Sequence, residues 1–420
     1  AADAGHVLAE RCDTPSMQPL IAATMLALAP LMQDAPAKVP AVQAPAPGRM
    51  GAPVDVFVGG EGGSPVYRIP AITSVRTKDG ATRLLAFAEA RGTLADVGAN
   101  DLALRMSDDR GATWSDYRVI ADVPARSLNN PCVVALHSGA HAGRVLLMFQ
   151  SYPEGKNEAA VTEGFGTGAP GELICRTFTM HSDDAGRTWS EPREVTRSVK
   201  RAKGATSTAT GPGIGIQLAH GPHAGRVIMP FNEGPYDRWR VYAAYSDDGG
   251  DSWMLGDAAP NDERGLGNEV QMFERVDGSV VLNARQHLGA KRRKTAVSSD
   301  GGATWSRLAD VPDLPDPTCM AGVLALGGGV VVFSGCDSES RRALGTLWIS
   351  RDEGRTWPEK VLIEPEGFAY SVPVRLDGGA DGAATEVGVL YEAAGYKRIA
   401  LRRVMVPAAA PSAAATPAAR

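Results

Sequence analysis

One phrase, Ser-x-Asp-x-Gly-x-Thr/Ser-Trp, recurs five times along this chain, beginning at Ser107, Ser182, Ser246, Ser298 and Ser350. It takes five of the seven tryptophans, Trp114, Trp189, Trp253, Trp305 and Trp357, and its copies stand 52 to 75 residues apart, so the chain is an array of one unit. The fourth copy reads as slightly irregular, with Gly301 and Gly302 following Asp300. Within the phrase Asp and Ser side chains suit local backbone hydrogen bonds, Gly suits a positive φ, and Trp offers a large ring to bury against the next unit. That is a hairpin corner, so Asp109, Asp184, Asp248, Asp300 and Asp352 are expected to be structural and not catalytic.

Repeats of this size built from strands point to an all-β propeller of four-stranded antiparallel blades. In the first unit Arg68 to Val75, Arg83 to Ala90 and Asp101 to Ser107 read as strands A, B and C, and the box turns C into D. The same grammar places A strands near Cys132, Gly213, Val270, Met320 and Ser371, giving six blades with five boxes. The sixth unit has no box and no fourth strand, while Val54 to Val58 precedes the first A strand without a partner. That segment is expected to complete the last blade and close the ring, removing two exposed edges. Glycine (48) and proline (29) are abundant, as a turn-rich β fold requires.

The propeller is assigned to residues 50 to 406. Residues 1 to 49 form a leader whose apolar run, Leu20 to Met32, is too short to span a bilayer but suits the core of an export signal, although Glu10 and Asp13 spoil its positive region. A secreted or periplasmic location is expected. Residues 407 to 420 form an Ala/Pro tail, expected to be unstructured.

A net charge of −5, with no basic block longer than Lys291 to Lys294, argues against nucleic acid or an anionic membrane as partner. Cys12, Cys132, Cys175, Cys319 and Cys336 lack metal-site spacing and read as buried thiols. His141 and His223 sit in copies of His-Ala-Gly-Arg-Val, better explained as turns than as metal ligands.

In a meander blade the A–B and C–D turns share one edge, and the B–C loops and D–A links share the other. The boxes are C–D turns, so they mark the back. Arg68, Asp96, Glu269, Arg285, Arg342, Tyr370 and Glu392 all fall on the opposite edge, which the ring converges on one cleft. Three arginines there suit a carboxylate, because a guanidinium fork matches its two oxygens. With few acids near them they are expected to repel one another in the empty cleft.

Tyr67-Arg68-Ile69-Pro70 and the five boxes are joined in order by Phe87-Ala88-Glu89-Ala90-Arg91, Asp96, Asn268-Glu269, Asn283-Ala284-Arg285, Tyr370-Ser371 and Leu390-Tyr391-Glu392. Over residues 50 to 406 this set resembles the exo-α-sialidases (neuraminidases) of the bacterial and animal Asp-box type. The resemblance implies a six-bladed propeller that removes terminal sialic acid with retention and needs no metal or cofactor. Its partners would be sialylated glycans, glycoproteins or glycolipids, and a monomer is expected.

Sialic acid carries a carboxylate on the carbon that is attacked, so a carboxylate nucleophile would meet repulsion in a low-dielectric cleft, and a neutral phenol avoids it. Tyr370 is therefore the candidate nucleophile, with Glu269 as its base. Asp96 would be the acid/base, partly desolvated on its loop. Arg68, Arg285 and Arg342 would clamp the carboxylate. By resemblance, Glu392 would fix Arg68, and Arg91 would contact a ring hydroxyl. Arg341 is the alternative to Arg342, because adjacent residues at a strand entry face opposite sides. Between its turn and its box the second unit is longer than the third, the excess falling in residues 151 to 172, where Phe165 or Tyr152 would line the acyl pocket or entrance. Tyr236 and Trp239 are alternative aglycone contacts. A trans-sialidase, a Kdn-preferring enzyme and a sialoglycan-binding propeller remain competing readings, the last disfavoured because Asp96, Glu269 and Tyr370 are all present.

Overall fold

The computed structural model describes residues 50–169, 171–376 and 384–408. The leader, Cys12 and nearly all of the Ala/Pro tail lie outside them. Six sheets follow one another along the chain. Blade 1 is Val66–Arg76, Thr82–Arg91, Asn100–Ser107 and Arg118–Ala121. Blade 4 is Leu266–Glu274, Val280–His287, Arg292–Ser298 and Ala309–Pro315, and blade 5 is Gly322–Gly327, Val330–Cys336, Gly345–Ser350 and Glu359–Glu364. Blade 6 is Ser371–Arg375, Thr385–Ala393 and Arg398–Val406, with Val54–Val58 hydrogen-bonded antiparallel to the last of these. The innermost strand of blade 1 lies against those of blades 2 and 6, so the sheets form a ring. Four residues, Thr196–Val199, make the one α-helix among the described residues.

Each box closes on itself. In all five, Ser Oγ donates to Asp Oδ1 at 2.7–2.8 Å and accepts the Gly N–H at 2.8 Å. The fourth box makes the same set, so the expected irregularity is absent: Gly301 occupies a variable position that is left-handed in every copy. The box glycine is required twice over. Gly354 has φ +79°, and a Cβ there would lie 2.6 Å from Phe273 of blade 4; Gly186, at φ +84°, would meet Leu85 of blade 1 at the same distance.

The expected A strand near Gly213 is broken. Thr208–Thr210 and Ile216–Gln217 pair antiparallel with Val227–Glu233 in blade 3, which Arg240–Ser246 and Met254–Leu255 complete. Gly213–Ile214 between them pairs in parallel with Arg126–Ala135, the first strand of blade 2, which continues through Val145–Pro153, Arg176–Ser182 and Arg193–Glu194. The Gly211-Pro212-Gly213 sequence explains the break. Pro212 has no N–H to give a ladder, and a Cβ on Gly211 would overlap the Val270 carbonyl.

Candidate active site

At the front edge the inner strands bulge, and the bulges aim side chains inward. Register slips between Arg68 and Ala71 in blade 1, between Asn129 and Cys132 in blade 2, and between Gly267 and Val270 in blade 4. Bulges of this kind commonly re-aim side chains beside functional sites. Ile69 and Asn130 take φ of +57° and +52°, and their freed N–H groups donate to buried carboxylates: Ile69 to Glu392 Oε1 at 2.9 Å, Asn130 to Glu89 Oε1 at 2.7 Å. A β-branched residue at positive φ persists only where its surroundings hold it.

The result is a polar cleft of ≈ 440 Å³ lined by Arg68, Arg91, Asp96, Glu269, Arg285, Arg342 and Tyr370. Glu392 stands behind it, 1% exposed. A larger cavity of ≈ 640 Å³ opens elsewhere, lined largely by residues such as Val134, Ile216, Phe273, Val323 and Val374. It contains none of the eight candidate residues, seven of which line the smaller cleft.

Arg68 Nε meets Glu392 Oε1 at 2.6 Å, and the Glu392 carboxylate also accepts the Tyr370 N–H at 3.3 Å. Burial opposes the Arg68 charge, and Glu392 more than restores it, so the guanidinium is held firmly protonated. Arg285 Nη1 donates both to Glu269 Oε2 at 2.5 Å and to the Tyr370 hydroxyl at 3.0 Å. Arg342 donates to the Tyr396 hydroxyl and the Thr318 carbonyl, each at 3.0 Å. Arg68 and Arg342 face the Tyr370 ring at 5.3 and 5.4 Å. Burial raises the Tyr370 phenol well above its usual range and Glu269 adds to that, while Arg285, Arg342 and Arg68 pull the other way. At rest the phenol is neutral.

Two expectations change. The arginines are not short of acids, since Arg68 has Glu392 and Arg285 has Glu269; among the three only Arg342 relies on neutral partners. Asp96 is not desolvated: its carboxylate is 65% exposed and meets Arg91 Nη1 at 2.7 Å. Arg91 is in turn tied to the buried Glu89 at 2.6 Å from Nε, so at rest it braces the Asp96 loop. Arg342 lines the cleft, whereas Arg341 is exposed and absent from the lining. Tyr152, Tyr236 and Trp239 reach the cleft; Phe165 instead stacks under Arg197.

Sequence reasoning missed Tyr396, Glu158 and the bracing role of Glu89. Tyr396 packs its ring 4.4 Å from the Arg68 guanidinium and follows a run of left-handed residues in a short B–C turn. Glu158 sits in the long loop of blade 2 facing the cleft, its carboxyl raised by burial and by Asp96 and Glu269. Only the length of that loop hinted at it.

Residues 82–381 match the BNR repeat-like domain family. The chain is 33% identical over 419 residues to a sialidase of Micromonospora viridifaciens, covering 95% of this chain and 61% of that protein. The curated relatives it matches are thus longer, with this chain spanning about three fifths of their length. Among solved structures, the Hadza microbial sialidase Hz136 is similar with a TM-score of 0.72 at 25% identity, covering 84% of this chain and 68% of that one. The intramolecular trans-sialidase from Ruminococcus gnavus shares the fold with a TM-score of 0.68 at 19% identity, covering 84% and 98%. The chain belongs to the BNR repeat-like domain family and is similar across its propeller to sialidases.

Proposed function

We propose that the protein is an exo-α-sialidase, a retaining glycoside hydrolase that releases terminal sialic acid from glycoconjugates. The observation that carries this reading is the Tyr370 hydroxyl held by Arg285, which also holds Glu269, beneath two further guanidiniums. Arg68, Arg285 and Arg342 bind the substrate carboxylate and set the anomeric carbon over Tyr370. The phenol oxygen attacks that carbon while Glu269 takes its proton, and Asp96 protonates the departing glycosidic oxygen. Water, deprotonated by Asp96, then attacks the same carbon, and Tyr370 leaves with its proton returned from Glu269. Two inversions give net retention. A glycan lying over the Asp96 carboxylate, 65% exposed, would exclude water from it.

Transfer to a second sugar is the alternative reading, favoured by aromatic rings lining the cleft: Tyr236 is 60% exposed and stands 4.9 Å from His287 and 6.3 Å from Trp239. Tyr370→Phe should lower kcat on an aryl N-acetylneuraminide at least ~10³-fold, about 4 kcal/mol of barrier, with an unchanged melting temperature. Unchanged turnover would sink the assignment. Running N-acetylneuraminide and Kdn glycosides with and without lactose separates hydrolysis from transfer and reads the acyl preference.

A further inference from the structure

The longest basic block of the chain, Lys291 to Lys294, meets acids at every position but its first. Arg292 pairs with Glu339 at 2.5 Å, Arg293 with Asp316 at 3.0 Å, and Lys294 with Asp310 and Asp262 at 2.6 and 2.8 Å. Lys291 is exposed, lines the cleft, and makes no ion pair among the described residues.

The turn that presents it, from Gln286 to Lys291, is held at both ends by Asp316. The Asp316 carboxylate accepts the Gln286 N–H at 2.8 Å, and the Asp316 N–H donates to the Lys291 carbonyl at 3.0 Å. Between them the Gly289 N–H donates to Gln286 Oε1 at 2.7 Å. Leu288 and Lys291 take φ of +56° and +62°, which side-chain-bearing residues keep only where the surroundings impose it. Leu288 is left 76% exposed on the cleft lining, a poor place for a leucine unless something packs on it. His287 beside it is 6% exposed, lies 4.9 Å from the Tyr236 ring, and its Nε2 has no hydrogen-bond partner among the described residues. Burial and Arg285 lower the His287 pKa, so at neutral pH Lys291 carries the charge of this turn.

The turn stands beside two arginines of the cleft. It begins immediately after Arg285, and Gln286 Nε2 donates at 2.7 Å to the hydroxyl of Thr318, whose carbonyl accepts Arg342 at 3.0 Å. In a sialoside the carboxylate and the leaving oxygen share one carbon, so a second sugar begins next to the arginine clamp and within reach of a lysine on this rim. We propose that Lys291 binds an anionic group on that second sugar, so that the enzyme prefers sialosides in which sialic acid is joined to another acidic sugar. The carboxylate of a second sialic acid and the sulfate ester of a sulfated galactose offer Lys291 the same chemistry. Leu288 packs against the apolar face of whichever sugar is held there. This preference rests on the sialidase reading.

The test measures kcat/KM of the full chain, of Lys291→Gln and of Lys291→Arg on three substrates. These are a sialyl-(2→8)-sialoside, a 3′-sialyllactose bearing a sulfate on its galactose, and plain 3′-sialyllactose. The unaltered chain should favour an acidic substrate over the neutral one about fivefold at low salt, with the margin shrinking as salt screens it. Lys291→Gln should erase the margin, and Lys291→Arg should keep it. A margin confined to the disialoside or to the sulfated sugar, and lost in Lys291→Gln, supports the proposal and identifies the source of the anion. Hydrolysis of all three substrates with no margin, or with a margin that survives Lys291→Gln, overturns the proposal and leaves the sialidase reading standing. An unaltered chain inactive on all three overturns the sialidase reading and this preference with it.

Discussion

In blade 2 the box satisfies its polar groups within a few residues: Asp184 accepts from Ser182 and from the Thr188 N–H and hydroxyl at 2.6–2.8 Å. At the opposite edge of the ring Arg68 finds its carboxylate 324 residues away, Arg285 meets Tyr370 at a separation of 85, and Arg342 meets Tyr396 at 54. The two edges differ in what the bonds depend on. Back-edge bonds form with their own hairpin, so five copies can repeat with little variation. The front-edge bonds from Arg68 to Glu392, Arg285 to Tyr370 and Arg342 to Tyr396 exist only once separate blades have come together, and they hold buried charges there.

Removing one partner at each edge sharpens the contrast. Glu392→Ala leaves Arg68 buried without its acid and frees the Ile69 and Tyr370 N–H groups, so it should cost about 3–5 kcal/mol of stability and depress kcat/KM as well. Asp184→Ala should cost about 1–2 kcal/mol and leave kcat/KM alone. Denaturant melts and kinetics on the same samples decide it, and equal effects on activity would break the comparison. Arg342→Lys keeps the charge but loses the fork, and should cost about 1.5–3 kcal/mol in kcat/KM per charge-assisted bond lost, against near silence for Arg341→Lys.

Acid titration gives a smaller effect at a back-edge box. Burial of Asp109 favours its protonated form, but hydrogen bonds from Thr113 and Ser107 outweigh it and lower the carboxyl from 3.8 to about 2. The folded state therefore binds fewer protons than the unfolded one in that window. Its stabilisation is present above pH 3.8 and is lost as pH falls through about 2. Asp109→Asn should flatten the fall of stability over that range; an unchanged slope would remove the box from acid unfolding.

The same contrast explains what the sequence could say. Boxes are contiguous phrases whose hydrogen bonds lie inside the phrase, so blade number and edge parity could be read directly, and parity gathered Arg68, Asp96, Glu269, Arg285, Arg342, Tyr370 and Glu392 on one face. The bulges at Ile69 and Asn130 and the Tyr396 contacts are closed by residues on other strands or blades, and no local pattern announces them; the brace from Glu89 to Arg91 lies within one strand, but it takes its role from the Asp96 loop that it meets. The split strand at Gly213 had a local sign in Gly211-Pro212-Gly213, but its pairing with blade 2 did not. Asp96 is expected to be partly desolvated from the Gly- and Ala-containing loop that carries it, whereas that loop leaves its carboxylate 65% exposed beside Arg91.

The most direct test of the front-edge account is covalent trapping. A fluorinated sialosyl fluoride, whose glycosyl-enzyme adduct breaks down slowly, is incubated with the full chain and the adduct is mapped by peptide mass. The account predicts one sialosyl group on the peptide containing Tyr370, abolished by Tyr370→Phe and slowed by Glu269→Gln. An adduct on Glu269 or Asp96, or turnover of sialosides with no adduct on Tyr370, would contradict it.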